Sequence, residues 1–184
     1  MNGKNQRKLA ERVQQIPPFQ VMEVIRSAQI LAARGVDIIH LEVGEPDFPS
    51  PELVVLAAKD ALDRGQTRYT DARGIAPLRQ AIADWYAKTG IYVSPERIQL
   101  TQGASGALLL ASAVTTNPGD QVLLADPCYP CNPRFIEAVG GTVHWLETGV
   151  DTGFQPTLAQ LEREAGPCDT NLMLAHPANP TGMA

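Results

Sequence analysis

The stretch Ile98-Gln99-Leu100-Thr101-Gln102-Gly103-Ala104-Ser105-Gly106-Ala107-Leu108-Leu109-Leu110-Ala111-Ser112-Ala113 changes its rhythm at the centre. Ile98 and Leu100 alternate with Arg97 and Gln99 at the period of a strand, whereas Ala107 to Ala113 is a continuous run of small and apolar residues that suits a helix. Small residues occupy the change itself, Gly103 and Gly106 among them. A strand that turns into a helix at such a point exposes the N–H groups of the first helical turn, where the helix dipole also favours negative charge. The glycines let the backbone approach an anion with no Cβ in the way, and the Ser105 hydroxyl adds a donor. On that reading the turn from Gly103 to Gly106, with Ser105, is an anion seat. A second reading is purely structural: any α/β chain needs small residues where strand becomes helix, and Ser105 then only satisfies the helix end. The spacing is neither G-x-G-x-x-G nor G-x-x-x-x-G-K-[ST], so it supports neither a dinucleotide fingerprint nor a nucleoside triphosphate loop.

Downstream of this turn the rhythm predicts a helix over 104–116, then strand 121–125, helix 133–139, strand 142–146, helix 158–165 and strand 172–175. Strands alternating with helices at these spacings mean an α/β fold with a parallel sheet and right-handed crossovers. Ligands of such sheets sit beyond the carboxyl ends of the strands. Three loops are expected there: 102–106, 126–132 and 176–182. The second, Asp126-Pro127-Cys128-Tyr129-Pro130-Cys131-Asn132, offers a flat aromatic face in Tyr129 between two prolines. The third, His176-Pro177-Ala178-Asn179-Pro180-Thr181-Gly182, offers the Asn179 amide in a turn. An anion seat, a stacking surface and a neutral donor at one sheet edge suit a planar, phosphorylated heterocycle that carries a phenol.

Upstream, residues 21–34 have helical spacing, with Val21, Ile25, Ala28 and Ala32 on one face and Gly35 as a stop. Residues 36–43 alternate as a strand, with His40 as an ordinary strand-face residue. Gly44 to Pro51 is a rigid loop. Ser50 is expected to cap a helix that has Pro51 at its first position and runs to about Arg64. A polar loop over 66–74 carries Arg68, Tyr69 and Arg73, and a further helix is expected over 75–89, with Pro77 tolerated in its first turn.

Composition narrows the class. The chain has 184 residues, a net charge of −5, 44% hydrophobic and 19% charged residues, which is ordinary for a globular protein. An acidic balance without a cluster of lysines and arginines argues against nucleic acid or an anionic membrane as the main partner. The run from Ala107 to Val114 is too short to span a bilayer, and the polar start has no signal core, so the expected location is cytoplasmic. Three cysteines do not build a disulfide framework. Cys128 and Cys131 form a C-x-x-C, but a zinc site wants a second pair or nearby histidines, and a redox site wants its first cysteine at a helix start.

These motifs together carry a resemblance. Val43-Gly44-Glu45-Pro46-Asp47-Phe48, Tyr69-Thr70 with Gly74 and Leu78-Arg79, Gly103-Ala104-Ser105-Gly106-Ala107-Leu108, Asp126-Pro127-Cys128-Tyr129-Pro130 and Asn179-Pro180-Thr181-Gly182 stand in register. From about Ile16 onward the chain resembles the fold-type I, class I and II aminotransferases that use pyridoxal phosphate. The resemblance implies a partial aspartate-aminotransferase-like fold, three-layer α/β/α with a mainly parallel sheet, truncated before its C-terminal half. Residues 1–45 would be an N-terminal arm and the first part of the small domain, and 46–184 the first part of the large cofactor-binding domain. It implies that Gly103, Ala104 and Ser105 bind the cofactor phosphate, that Tyr129 stacks on the pyridine ring and that Asn179 donates to the phenolate oxygen. Tyr69 would reach the phosphate of a partner subunit in a homodimer, and Gly44 would line the carboxylate end of the substrate. Asn179-Pro180 is expected to be cis.

The family also needs a lysine that holds the cofactor covalently, an aspartate on the ring nitrogen and an arginine for the substrate carboxylate, all later than the Asn179 turn. The lysines here are Lys4, Lys8, Lys59 and Lys88, all before the 102–106 turn. The expectation is therefore an enzyme that moves an amino group from an amino acid to a 2-oxo acid, present as an N-terminal portion that is inactive by itself. Two other readings stand beside it: a fold-type I lyase or decarboxylase with the same cofactor motifs, and a non-catalytic module that binds a phosphorylated ligand or a partner chain.

Overall fold

The computed structural model describes residues 9–167 and 169–183. The chain packs as two units, Met1–Glu23 with Gln102–Ala184, and Val24–Thr101.

The first unit is built on strands β1 (Gln121–Asp126), β2 (Thr142–Glu147) and β3 (Asp169–Met173), in the order β2-β1-β3. Both pairings are parallel, as the alternation of elements implies. Gln121 stands opposite Thr142 and Asp126 opposite Glu147, while β3 meets β1 from Gln121–Asp169 to Leu124–Met173 with a register shift next to Gln121. Helices α5 (Gly103–Thr115), α6 (Asn132–Ala138) and α7 (Leu158–Glu164) complete this unit, with α1 (Arg12–Gln15) and the start of α2 (Gln20–Ala32). β1 reads Val-Leu-Leu at its centre and is buried on both faces, as a central parallel strand must be. Val122 and Leu124 meet Ile136 of α6, with Cys128, Val143 and Met173 packed around them. Leu124, Ile136 and Leu146 are fully buried, each contributing about 1.5–3 kcal/mol through loss of apolar surface from water.

Hydrogen bonds then fix the ends of the elements. Thr157 caps α7 by accepting from the Gln160 N–H at 3.2 Å, and the Gln160 side chain donates to the Glu147 carbonyl at 2.9 Å. Asn171 donates to the Thr115 carbonyl at 2.8 Å, tying β3 to the end of α5. At the amino-terminal end of the sheet His144 Nδ1 lies 3.1 Å from the buried Asp169 carboxylate, which also accepts from the Gly166 N–H.

The second unit holds most of α2, with α3 (Glu52–Asp63) and α4 (Ala76–Ala87). Two expectations fail here. Residues 36–43 and 98–101 form no strand, although both are extended by sequence. Alternation sets which way side chains point, but a strand also needs a neighbour to accept its N–H groups, and neither stretch finds a ladder among the described residues. Leu100 makes one backbone bond, to the Arg73 carbonyl at 3.0 Å. The expected cap also moves by a residue: Pro51, not Ser50, is the N-cap residue of α3, and its carbonyl accepts from the N–H groups of Val54 and Val55. Of the expected α2 face, Ala28 is buried, Val21 and Ile25 are half-buried and Ala32 is exposed, and Pro77 sits in the first turn of α4.

Arg79 is the most buried long side chain of this unit. Its guanidinium donates to the Gly74 and Pro95 carbonyls at 3.2 and 3.0 Å. Gly74 itself sits at φ +95°, and a Cβ there would run into the Leu100 side chain, so glycine is required on both counts.

Candidate active site

At the carboxyl edge of the sheet, β1 runs into the Pro127 to Cys131 loop and β3 into the turn around Asn179. Between them opens a cavity of about 450 Å³. Gly103, Ala104 and Ser105 line it together with Tyr129 and Asn179. Five of the residues singled out from sequence therefore converge on one space.

Each is held there by local chemistry. Gly103 begins α5 at φ +70°, a conformation that glycine adopts freely, and Gln102 provides no side-chain cap. Ala104 and Ser105 occupy the first turn, exposed, with no acidic side chain in that turn to compete for its N–H groups or its dipole. Ser105 is thus the third residue of the helix and not its cap. Tyr129 packs edge-on against Phe19, ring centres 6.2 Å apart, and hydrogen bonds with Cys131, which together with partial burial pushes its phenol up from its ordinary pKa. The turn holding Asn179 is closed by the Gly182 N–H donating to the Ala178 carbonyl at 2.6 Å and the Ala178 N–H donating to the Met183 carbonyl at 2.7 Å. Asn179-Pro180 is cis as expected, and Asp126-Pro127 and His176-Pro177 are cis as well.

Gly44 and Tyr69 belong to the other unit. Gly44 is exposed with open space where a Cβ would stand, and Tyr69 is fully exposed. Neither is brought to the cavity by contacts within its own unit.

The C-x-x-C has no metal-binding company: among the described residues no cluster of three or more histidines, cysteines or carboxylates stands together. Burial, and then the charge of Asp126, push the Cys128 thiol up to about 11, so it stays protonated at neutral pH. No helix among the described residues is long and apolar enough to cross a membrane.

Sequence reasoning passed over two residues of this region. Phe19, from the Pro17-Pro18-Phe19 segment, sets the edge of the Tyr129 ring. Asn132 lines the same cavity from the start of α6 and is buried, and its Oδ1 has no hydrogen-bond partner among the described residues. The loop over 126–132 was marked as a place to look, but an asparagine before a proline reads as a turn residue until burial is known.

Fold and cavity define an open-sheet α/β protein whose ligand site lies where strand ends meet a helix start. Comparison with known proteins gives the particular group. The family described as aminotransferase class I and II matches residues 36–184, and the chain belongs to it. Curated relatives include an aspartate/prephenate aminotransferase of Cereibacter sphaeroides, 36% identical over 96% of this chain and 44% of its own length. A valine–pyruvate aminotransferase of Mycobacterium tuberculosis is 40% identical over 91% of the chain and 43% of its own length. Among solved structures, the aspartate aminotransferase of Thermus thermophilus with maleate superposes with a TM-score of 0.90 at 35% identity, covering 95% of this chain and 46% of that one. The fold is thus a partial aspartate-aminotransferase-like α/β fold, and the chain spans less than half the length of these relatives. Enzymes of this class depend on pyridoxal phosphate.

The cavity suits that cofactor. It pairs an anion-favouring helix start with an aromatic side chain, and the carboxamides of Gln102, Asn132 and Asn179 share its lining.

Proposed function

We propose that the full-length protein is an amino-acid aminotransferase that passes an amino group to a 2-oxo acid through pyridoxal phosphate. The observation that carries this is the convergence of Gly103, Ala104, Ser105, Tyr129 and Asn179 on one cavity at the carboxyl edge of a parallel sheet. When bound, the cofactor supplies an electron sink for the α-carbon of the amino acid. The residues of this chain hold and orient it. Backbone N–H groups at Ala104 and Ser105, with the Ser105 hydroxyl, bind the phosphate at the positive end of α5. Tyr129, steadied by Phe19, covers the ring face. The Asn179 amide donates to the phenolate oxygen, which keeps that oxygen charged and tunes the acidity of the group bound next to it.

The remaining assignments extend the same reading. Residues 1–45 are an arm and the first part of a small domain, and 46–184 the first part of a large cofactor-binding domain. Tyr69 serves the phosphate site of a second copy in a homodimer, which its complete exposure supports. Gly44 lines the carboxylate end of the substrate. The cytoplasm is the proposed location, since free thiols at Cys128 and Cys131 fit a reducing compartment.

The 184-residue polypeptide by itself does not transaminate. Lys59 and Lys88 are exposed on or beside helices of the other unit, and Lys4 and Lys8 lie outside the described residues. None follows Asn179, where the covalent partner of the cofactor belongs.

An amino-donor screen on the full-length protein with added pyridoxal phosphate tests the proposal. Relatives named for aspartate, prephenate and valine make aspartate and valine the first donors to try. Transfer to a 2-oxo acid from at least one donor is expected. Release of ammonia or carbon dioxide without transfer would move the protein to the lyases or decarboxylases.

A further inference from the structure

Both thiols of the C-x-x-C make hydrogen bonds to one residue, Tyr129. Cys128 Sγ donates to the Tyr129 carbonyl at 3.6 Å, an oxygen that also accepts from the Asn132 N–H at 2.9 Å. At the far end of the side chain the phenol hydrogen bonds with Cys131, and this bond is the leading cause of its raised pKa. A phenol that keeps its proton at neutral pH has an O–H to donate, and a thiol sulfur can accept it. Cys131 is itself held in place: it is the N-cap residue of α6, and its carbonyl accepts from the Arg134 and Phe135 N–H groups at 3.0 and 3.2 Å.

We infer that Cys131 is a positioning residue of the cavity, anchoring the Tyr129 hydroxyl so that the half-buried ring stays where it can cover a flat ligand. The inference rests on the pyridoxal phosphate reading above, in which Tyr129 lies over the cofactor ring. The geometry divides the work between two contacts. Rotation of a tyrosine ring about χ2 leaves its hydroxyl on the rotation axis, so a bond at that oxygen fixes the position of the ring tip and leaves the plane free. The edge-on contact with Phe19, ring centres 6.2 Å apart and planes at 68°, then favours one plane. Cys131 does this from outside the cavity, since it lines a neighbouring pocket with Phe19 and Pro130. The C-x-x-C thereby gains a role that needs neither a metal nor a disulfide.

The test uses the full-length protein freed of cofactor, with equilibrium titration of pyridoxal phosphate and thermal unfolding of the cofactor-free form. Cys131→Ala removes the acceptor, Cys131→Ser restores one, and Tyr129→Phe removes the hydroxyl while keeping the ring. The expected result is cofactor affinity weaker by about fivefold in Cys131→Ala and within about twofold of wild type in Cys131→Ser. On the Tyr129→Phe background Cys131→Ala should weaken binding no further, because the bond is already gone. The unfolding temperature of cofactor-free Cys131→Ala should stay within about 2 °C of wild type. A larger fall, an equal loss of affinity with and without the Tyr129 hydroxyl, or no rescue by serine would each make Cys131 a structural residue and overturn the inference. Should Cys131→Ala not fold, Cys131→Val is read in its place, and failure of both to fold has the same meaning. Unchanged affinity in the folded variant also overturns the inference, while leaving the cofactor reading intact. Wild-type protein that binds no pyridoxal phosphate removes the cofactor reading and this inference with it.

Discussion

The unit built on the sheet and the unit of residues 24–101 use similar residues to opposite ends. In the first, the apolar run of β1 is spent: Val122, Leu123 and Leu124 are buried, as are Ile136 of α6 and Leu146 of β2. In the second, α3 reads Glu-Leu-Val-Val-Leu-Ala-Ala and buries none of its residues, with Leu53, Val54, Leu56 and Leu62 all exposed. What organises that unit is a cation, Arg79, bonded to two loop carbonyls. A three-stranded parallel sheet supplies its own neighbours. Within its own unit α3 has no sheet to pack on, and among the described residues its large apolar side chains stay exposed.

The largest expected effect is on the sheet. Leu124→Ala empties a site at the centre of β1 and should cost about 2–5 kcal/mol, whereas Leu53→Ala on the exposed side of α3 should stay within about 0.5 kcal/mol. Urea denaturation of the 184-residue chain measures both, and equal losses would erase the contrast. Next is the cation. Arg79→Met keeps the bulk but strips the donors from the Gly74 and Pro95 carbonyls, and should cost about 1–3 kcal/mol. Amide exchange should then quicken across 74–97 and not across β1. Uniform quickening would mean that the two units do not open separately.

The smallest effect is chemical and belongs to the sheet unit. With its thiol pushed up to about 11, Cys128 is thiolate in only about one molecule in a thousand at pH 8. Alkylation followed by peptide mass mapping should leave it unmodified at pH 8 and label it only as the pH approaches its raised value. Ready labelling at neutral pH would show that burial is not protecting it.

How far the sequence could be read depended on what each residue needed in order to act. From Gly103 to Glu164 every α-helix and strand lies within two residues of its expected place, because glycines, prolines and changes of period mark those boundaries locally, while a short 3-10 turn at Val150–Thr152 was not expected. The last strand was expected over 172–175 and forms as Asp169–Met173, since its apolar end was visible and its pairing with Gln121 was not. Residues 36–43 and 98–101 failed for the same reason: alternation is written in the chain, a pairing partner is not. The cavity was legible as three loops at one sheet edge, while Phe19 and Asn132 were not, because a ring contact and burial are set by packing.

The sheet order β2-β1-β3 also sets a timetable for synthesis. β1 is joined on one side by a strand that begins at Thr142 and on the other by one that ends at Met173. The ribosome must therefore deliver residues 24–101 in full, then the turn at Gly103 and all of α5 to α7, before β1 has both its neighbours. Pairings between residues this distant in sequence form slowly, since loops must close before contacts reward them. During that interval Leu53, Val54 and Leu56 of α3 are already outside the exit tunnel with nothing buried beneath them. A nascent chain of this design shows apolar helix faces before β1 has its neighbours, so it depends on chaperones while residues 102–173 are being made.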